Sequence, residues 1–392
     1  MPTATPGTAV VVGAGIGGLA AACALHRDGW EVTVLERRLP VEPVGAGIAI
    51  APNGLRALDT IGAGDRVRGL AAVQGAAALR RPDGRVLATT SPDAFRARFG
   101  DPMVVATRAA VLDALVAPLP AGALRAGAVV DVHPGDTDRP ATVTTERGER
   151  FDADLVVAGD GIRSTVRRRV LPDQPEPRYA GFTTWRSICP PPASPLAIGE
   201  TWGRGRIFGA MPLADGRVYW YATADRPAGQ RLPDPRADVL DLFGDWHDPI
   251  PELIASVPSA AVLHLDAHWT ATPPPALHVG RVALLGDAAH AMTPNLGQGG
   301  NQALEDAVEL ATVLARDGAD VIGALSAYTD LRLARTSAVV RMSRRMGAMS
   351  RRRSRPAVAF RDTLLRWSAR LGSDAALRPL DGIMAWRPLP RS

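Results

Sequence analysis

Residues 8–36 read TAVVVGAGIGGLAAACALHRDGWEVTVLE. Residues 9–12 form a short β-branched strand, and Gly13-Ala14-Gly15-Ile16-Gly17-Gly18 leads into an Ala- and Leu-rich helix that lasts to about Asp28. After Gly29, residues 31–35 form a second strand that ends in Glu36. The pattern is G-x-G-x-x-G between a strand and a helix, with an acid 18 residues beyond the last glycine. Glycines alone also serve tight turns, but within a complete strand–helix–strand unit they make a dinucleotide-binding fingerprint. Gly13 serves the turn, Gly15 lets the backbone approach a pyrophosphate, Gly18 allows close helix packing, and Glu36 bonds ribose hydroxyls. An acid at that place suits an unphosphorylated ribose, as in FAD or NAD.

The chain has 392 residues, which predicts two domains. Hydrophobic residues make up 46% and charged residues 22%, the balance of a soluble globular protein. The net charge is +5, and every basic residue is arginine. The densest basic run, residues 341–355, lacks the interleaved aromatics that stack nucleic-acid bases, so it reads as a solvated helix face. Two cysteines, Cys23 and Cys189, build neither a disulfide framework nor a metal cluster, which suits a reducing cytoplasm. Residues 1–25 are uncharged and largely apolar, but they lack the basic start of a signal peptide, and their glycines are spaced for a strand–turn–helix unit. No other segment approaches a membrane span. There is no visible repeat.

Two later strands end as the first does. Residues 154–158 (DLVVA) run into Gly159-Asp160-Gly161-Ile162-Arg163, and residues 282–285 (VALL) run into Gly286-Asp287. A strand-end aspartate often only caps a helix or forms a turn, yet in open α/β sheets ligands bind at the carboxyl ends of strands. Pro294 stops helix, and Gly297, Gly299 and Gly300 let backbone N–H groups approach a flat ligand before a helix starts at Asn301 or Gln302. Such a helix terminus favours negative charge on the ligand. Residues 44–50 (VGAGIAI) place Gly47 in a loop and strand passing close to a ligand, and Arg108 stands just ahead of an amphipathic helix, residues 109–116.

Residues 73–90 read as a hairpin around Asp83-Gly84. From 179 to 224 the texture changes to antiparallel strands rich in aromatics. Trp185, Trp202 and Trp220 either wall an organic substrate or fill a core, and for each one alone the core is the expectation. Tyr219 and Tyr221 share one strand face, with Trp220 on the other. His264 and His268 share a face too, but no third ligand at sensible spacing makes them a metal site. Residues 298–315 and 321–350 are helical by apolar spacing, and a short helix and a loosely packed tail follow.

In order and spacing, Gly13/Gly15/Gly18 with Glu36, Asp160-Gly161 with Arg163, and Gly286-Asp287 leading to Pro294 and residues 297–301 resemble the single-component FAD-dependent aromatic hydroxylases. These have the para-hydroxybenzoate hydroxylase fold, and the resemblance is to their salicylate hydroxylase and zeaxanthin epoxidase-like branch. It covers about residues 8–350. It implies an α/β fold: a Rossmann-like FAD-binding domain (1–72, 100–178 and 265–350) with an interleaved, mostly antiparallel β-sheet substrate domain (73–99 and 179–264) and C-terminal helices (351–392). It also implies that Gly13, Gly15, Gly18 and Glu36 hold the ADP half of FAD, with Arg108 near the pyrophosphate and Arg37 and Gly47 as further cofactor-binding candidates. Asp160 would lie between the cofactor phosphate and the approach of a transient NADPH or NADH donor. Asp287 would bind the ribityl or pyrophosphate region, and Pro294, Gly297, Gly299, Gly300 and Asn301 would meet the isoalloxazine.

The activity implied is hydroxylation or epoxidation of an aromatic or polyketide- or terpenoid-like small molecule, with O2 activated as a flavin hydroperoxide. Arg186 and Tyr219 are the candidates for handling the substrate, and His290 is expected to brace the flavin loop. The chain has no lysine and no Trp-x-Trp-x-Ile-Pro segment, which sets aside a flavin halogenase. The alternatives are a flavin-linked oxidase or reductase without oxygen insertion, and a non-enzymatic GDP-dissociation-inhibitor-like binder. A monomer or homodimer is expected, with neither nucleic acid nor membrane as partner and no metal.

Overall fold

The computed structural model describes residues 7–39, 47–72, 77–317, 320–370 and 377–390. Residues 44–46 of the expected ligand loop and 73–76 of the expected hairpin lie outside these. The first sheet has the order His278–Val279, Val282–Leu284, Leu155–Ala158, Thr8–Val12, Glu31–Glu36, Leu124–Ala126. All but its His278–Val279 edge pair in parallel. Its central strands are apolar runs buried along nearly their whole length, as parallel strands covered on both faces must be. The helices Ile16–Arg27 and Gly299–Asp317 pack into the same core. Gly18 shows why that packing needs glycine: a Cβ there would lie 2.0 Å from the Gly13 carbonyl oxygen. This sheet sets side by side the carboxyl ends of Val282–Leu284, Leu155–Ala158 and Thr8–Val12, and so brings Asp287, Asp160 and the first glycine loop to one edge.

The second sheet has seven strands in the order Leu263–Trp269, Arg178–Cys189, Val218–Ala224, Arg206–Pro212, Gly199–Trp202, Ala77–Arg80, Val86–Thr90. Its pairings are antiparallel except between Gly199–Trp202 and Ala77–Arg80. Strand alternation divides its side chains. One face sends Trp185, Trp220 and Phe208 into a core closed by Val239, Phe243 and Trp246. The indoles of Trp185 and Trp220 are fully buried, so they fill the interior and are closed to substrate. The other face, with Arg186, Ile188, Met211, Tyr219 and Tyr221, turns toward a two-stranded ribbon of Gly47–Ile50 and Val104–Thr107.

Several boundaries differ from expectation. Arg108 is the first residue of its helix, Arg108–Val116, whose amino end is capped by the Thr107 hydroxyl. The last long-range helix of the flavin loop begins at Gly299, and Pro294–Leu296 already forms a 3-10 turn, because proline is tolerated in a first turn. The basic run is only partly a solvated face: Arg344 donates to the Ala180 carbonyl, and Arg351 pairs with Asp225 while stacking on Phe182. In the following helix, Arg355–Arg370, Phe360, Leu364 and Trp367 remain exposed. No helix among the described residues is long and apolar enough to cross a membrane.

His264 stacks on Trp185 with ring centroids 4.8 Å apart and has no partner at Nε2. Burial, with Arg231 and Arg226 nearby, lowers its pKa from 6.5 to about 4. A folded-state pKa below the ordinary value means that this residue's contribution to stability is complete above pH 6.5 and is lost as pH falls toward about 4. Urea denaturation across that interval should show the loss, and H264F should flatten it.

Candidate active site

Gly13 adopts φ 98°, and a Cβ there would lie 2.6 Å from the Gly159 carbonyl oxygen, so no other residue fits between the first two strand ends. Gly15 is different: a Cβ would meet nothing closer than 3.9 Å, at Arg108 Nη2 and the Gly159 carbonyl. Space above Gly15 with an arginine at its rim is the shape a pyrophosphate needs. Glu36 sits at the end of the neighbouring strand and accepts a hydrogen bond from Ala14 N at 2.9 Å. Arg37 is exposed beside it. Asp160 accepts from Thr165 N at 2.7 Å and Val166 N at 3.1 Å, which caps the helix Thr165–Val170. Its Oδ1 is buried without a partner, and burial raises its pKa.

Asp287 opens into a cleft that water reaches, yet so much protein surrounds it that desolvation raises its pKa. His290, Arg108 and Arg186 act in the opposite direction. Arg108 in turn is lowered by desolvation, is favoured by Asp287 and is opposed by Arg186. The charge of Arg186, on the second sheet, therefore acts on Asp287, which follows the strand Val282–Leu284 of the first sheet, and on Arg108, which follows the ribbon strand Val104–Thr107. Gly297 adopts φ 61° with open space where a Cβ would be, and at Gly299 the nearest atoms lie 3.9 Å away. Backbone N–H groups at the start of Gly299–Asp317 therefore have room to meet a flat ligand. Gly300 packs on Ile48.

Asn301 has a structural task in the loop. Its side chain is fully buried, accepting from Ala51 N at 2.9 Å and donating to the carbonyls of Ala49 at 3.1 Å and Gly297 at 2.8 Å. It ties the glycine loop to the ribbon and offers no side-chain surface to the cleft. Gly47, at the ribbon's start, lies against the ring of Tyr219: a Cβ would be 2.4 Å from Tyr219 Cγ. Tyr219 lies diagonally across from Arg186 on the neighbouring strand, on the same face, so the two substrate candidates are adjacent.

Behind the loop is a buried polar cluster that sequence reading missed. Arg332 bonds Glu305 at 2.5 Å and Asp306 at 2.7 Å, and Arg335 bonds Glu305 at 2.7 Å. Asp306 also meets His290 Nε2 at 2.6 Å and accepts from Gly286 N at 2.9 Å. Burial alone would raise the Asp306 pKa, but His290 and Arg332 outweigh it and hold this carboxyl well below the usual range. Asn53 donates to Glu305 at 2.7 Å and to Gln298 at 3.0 Å. His290 therefore braces the loop as expected. Glu305-Asp306, a charged pair inside an otherwise apolar helix repeat, was the available signal. A second omission is Glu200, which bonds Tyr221 Oη and accepts from Trp202 Nε1 at 2.6 Å on the cleft-facing side of the second sheet.

A glycine cradle at three converging strand ends, facing a sheet with tyrosines and an arginine, defines a flavin-dependent oxidoreductase. Residues 7–343 match the family model described as FAD binding domain. The chain is 37% identical over 95% of its length to aurachin C monooxygenase/isomerase of Stigmatella aurantiaca, covering 97% of that protein. It is 33% identical to FAD-dependent urate hydroxylase of Klebsiella pneumoniae, over 86% of this chain and 88% of that one. The crystal structure of Klebsiella pneumoniae HpxO complexed with FAD and uric acid superposes with a TM-score of 0.87 at 29% identity, covering 96% of this chain and 95% of that one. The chain belongs to the FAD-binding domain family and is an FAD-dependent monooxygenase that draws electrons from NADPH or NADH.

Removing Arg332 takes away the cation shared by two buried carboxylates, leaving Glu305 to Arg335 and Asp306 to His290. R332M should cost about 3–5 kcal/mol of stability in urea denaturation, a loss an exposed arginine such as Arg352 would not show.

Proposed function

We propose that the chain inserts one oxygen atom into a planar aromatic or polyketide- or terpenoid-like molecule held between the two sheets. The observation that carries this reading is that the ribbon joins the two sheets: Gly47 lies against Tyr219 of the second sheet, Ile48 against Gly300 of the glycine loop, and Arg108, just after the ribbon, beside Gly15, with Arg186 near enough for its charge to act on Arg108 and Asp287. Residues 1–72, 100–178 and 265–350 serve as the FAD domain in this reading, 73–99 and 179–264 as the substrate domain, and 351–392 as a helical tail. The ADP half of FAD rests on Gly13, Gly15, Gly18, Glu36 and Arg37, with Arg108 at the pyrophosphate and the free oxygen of Asp160 toward phosphate and donor. Asp287 holds the ribityl or pyrophosphate region, and Pro294, Gly297, Gly299 and Gly300 carry the ring near Gly47. Asn301 serves it by holding that loop.

Bound FAD supplies electron transfer and oxygen activation. The protein's own part is electrostatic and steric. The amides opening Gly299–Asp317 favour negative charge at the ring. Arg186 and Tyr219 orient the substrate, and the apolar surface of Ala49, Val105, Ile188 and Met211 keeps water away. Two free, buried cysteines suit a reducing cytoplasm as the place of action.

Substrate-stimulated NAD(P)H oxidation should consume O2 and give a product heavier by one oxygen atom; a product unchanged in mass, or lighter by two hydrogens, overturns the reading. D287A should weaken FAD retention about 10- to 100-fold in equilibrium dialysis, and full flavin occupancy in that variant would remove Asp287 from the site.

A further inference from the structure

One row of residues crosses the cleft-facing side of the second sheet: Arg186 is opposite Tyr221, Tyr221 opposite Gly209, and Gly209 opposite Glu200. Successive strands lie about 5 Å apart, so the tyrosine must cross a whole strand to reach the carboxylate. Gly209 allows it: a Cβ there would lie 2.3 Å from Tyr221 Cζ and 2.6 Å from its hydroxyl oxygen. Tyr221 thus lies over a bare strand and donates its hydroxyl proton to Glu200 Oε1. Glu200 Oε2 accepts from the Trp202 indole N–H, a group that can only donate.

A phenolic hydroxyl has one proton to give and lone pairs to receive. Since that proton is committed to Glu200, Tyr221 is left as an acceptor. Arg186, on its other side, is a donor only. The geometry points to Glu200 as a specificity-determining residue that acts through Tyr221: it makes the cleft select aromatic substrates with an N–H or O–H edge for Tyr221 and an anionic or carbonyl edge for Arg186. This inference rests on the cleft being the monooxygenase substrate site.

The surroundings keep Glu200 in this role. Arg186 and Tyr219 lie across the sheet on the same face, Arg80 pairs with Thr201 and so lies on the opposite face, and Arg361, from the helix Arg355–Arg370, is tied to Asp362. Arg80 donates to the Ile198 carbonyl, and Arg361 stacks over Trp202. The facing ribbon presents Ala49 and Val105, which carry no charge. Burial raises the Glu200 pKa on balance, and the bonds from Tyr221 and Trp202, which favour the carboxylate, act against that shift and hold both its oxygens as acceptors.

Two matched pairs test the idea by calorimetry on FAD-loaded protein: 4-hydroxybenzoate against 4-methoxybenzoate, and 4-quinolone against N-methyl-4-quinolone. Wild type should bind at least one donor-bearing member about tenfold or more tighter than its methylated mate, because the mate leaves a buried acceptor unpaired. In E200Q the amide oxygen must serve the Trp202 N–H, so the amide NH2 faces Tyr221 and frees its proton for the cleft. The preference should then vanish or reverse toward the methylated member. Y221F, which removes one oxygen atom and leaves Glu200 in place, should bring the ratio close to one. A structural role alone would change both members of a pair together and leave the ratio as in wild type. The inference is overturned if neither donor member binds wild type, if the methylated mates bind as well, or if the ratio persists in folded E200Q or Y221F. Binding is read without turnover, so a failed oxygen-insertion assay with an intact ratio would count against the monooxygenase reading alone.

Discussion

A guanidinium held between two buried carboxylates organises this molecule. Arg332 joins Glu305 and Asp306, and Asp306 in turn holds His290 and the Gly286 amide. The helices Gly299–Asp317 and Val321–Ser350 are thereby keyed to the turn that carries Asp287. Buried ion pairs contribute little net stability against well-packed apolar residues, because desolvation consumes most of their attraction. Their value here is positional. Every oxygen of the two carboxylates has a donor, so the helix has one rotation about its axis that satisfies them, and that rotation decides where its first amides point.

The ribbon extends this positioning to the second sheet. Asn301 joins the glycine loop to the backbone of residues 49 and 51, and Gly47 at the ribbon's other end lies flat against Tyr219. A continuous line of short contacts therefore runs from the buried charges to the substrate face. The positions of cofactor loop and substrate wall are set by packing and hydrogen bonds, and the described residues contain neither a disulfide nor a side-chain cluster of metal-ligating type.

What could be read from sequence was whatever the backbone demands locally. Gly13, Gly15 and Gly18 answer a turn, an approach and a packing contact, and Asp160 and Asp287 stand at strand ends, so each leaves a mark within a few neighbours. The strand pattern of residues 179–224 was legible for the same reason, down to Tyr219 and Tyr221 sharing a face. Glu200, Asn53 and Arg332 escaped because their meaning lies in partners 21 to 252 residues away. That the Asn301 side chain clamps the backbone of residues 49 and 51 was not legible, since a polar residue beside glycines looks the same whether it faces a ligand or holds a loop. The basic run was misjudged where Arg351 finds Asp225 and Phe182, a pairing that only the fold creates.

The two glycines under the tyrosines have a further consequence for how this cavity can diversify. Positions 47 and 209 each carry an aromatic ring where a side chain would begin, so neither can enlarge without displacing a ring. Ile188 and Met211 border the same surface, are only partly buried, and belong to the two strands that flank the tyrosine strand. Changes in the size of accepted molecules are thus channelled through these two residues, and the hydrogen-bonding row beside them can persist while the volume it serves is remodelled.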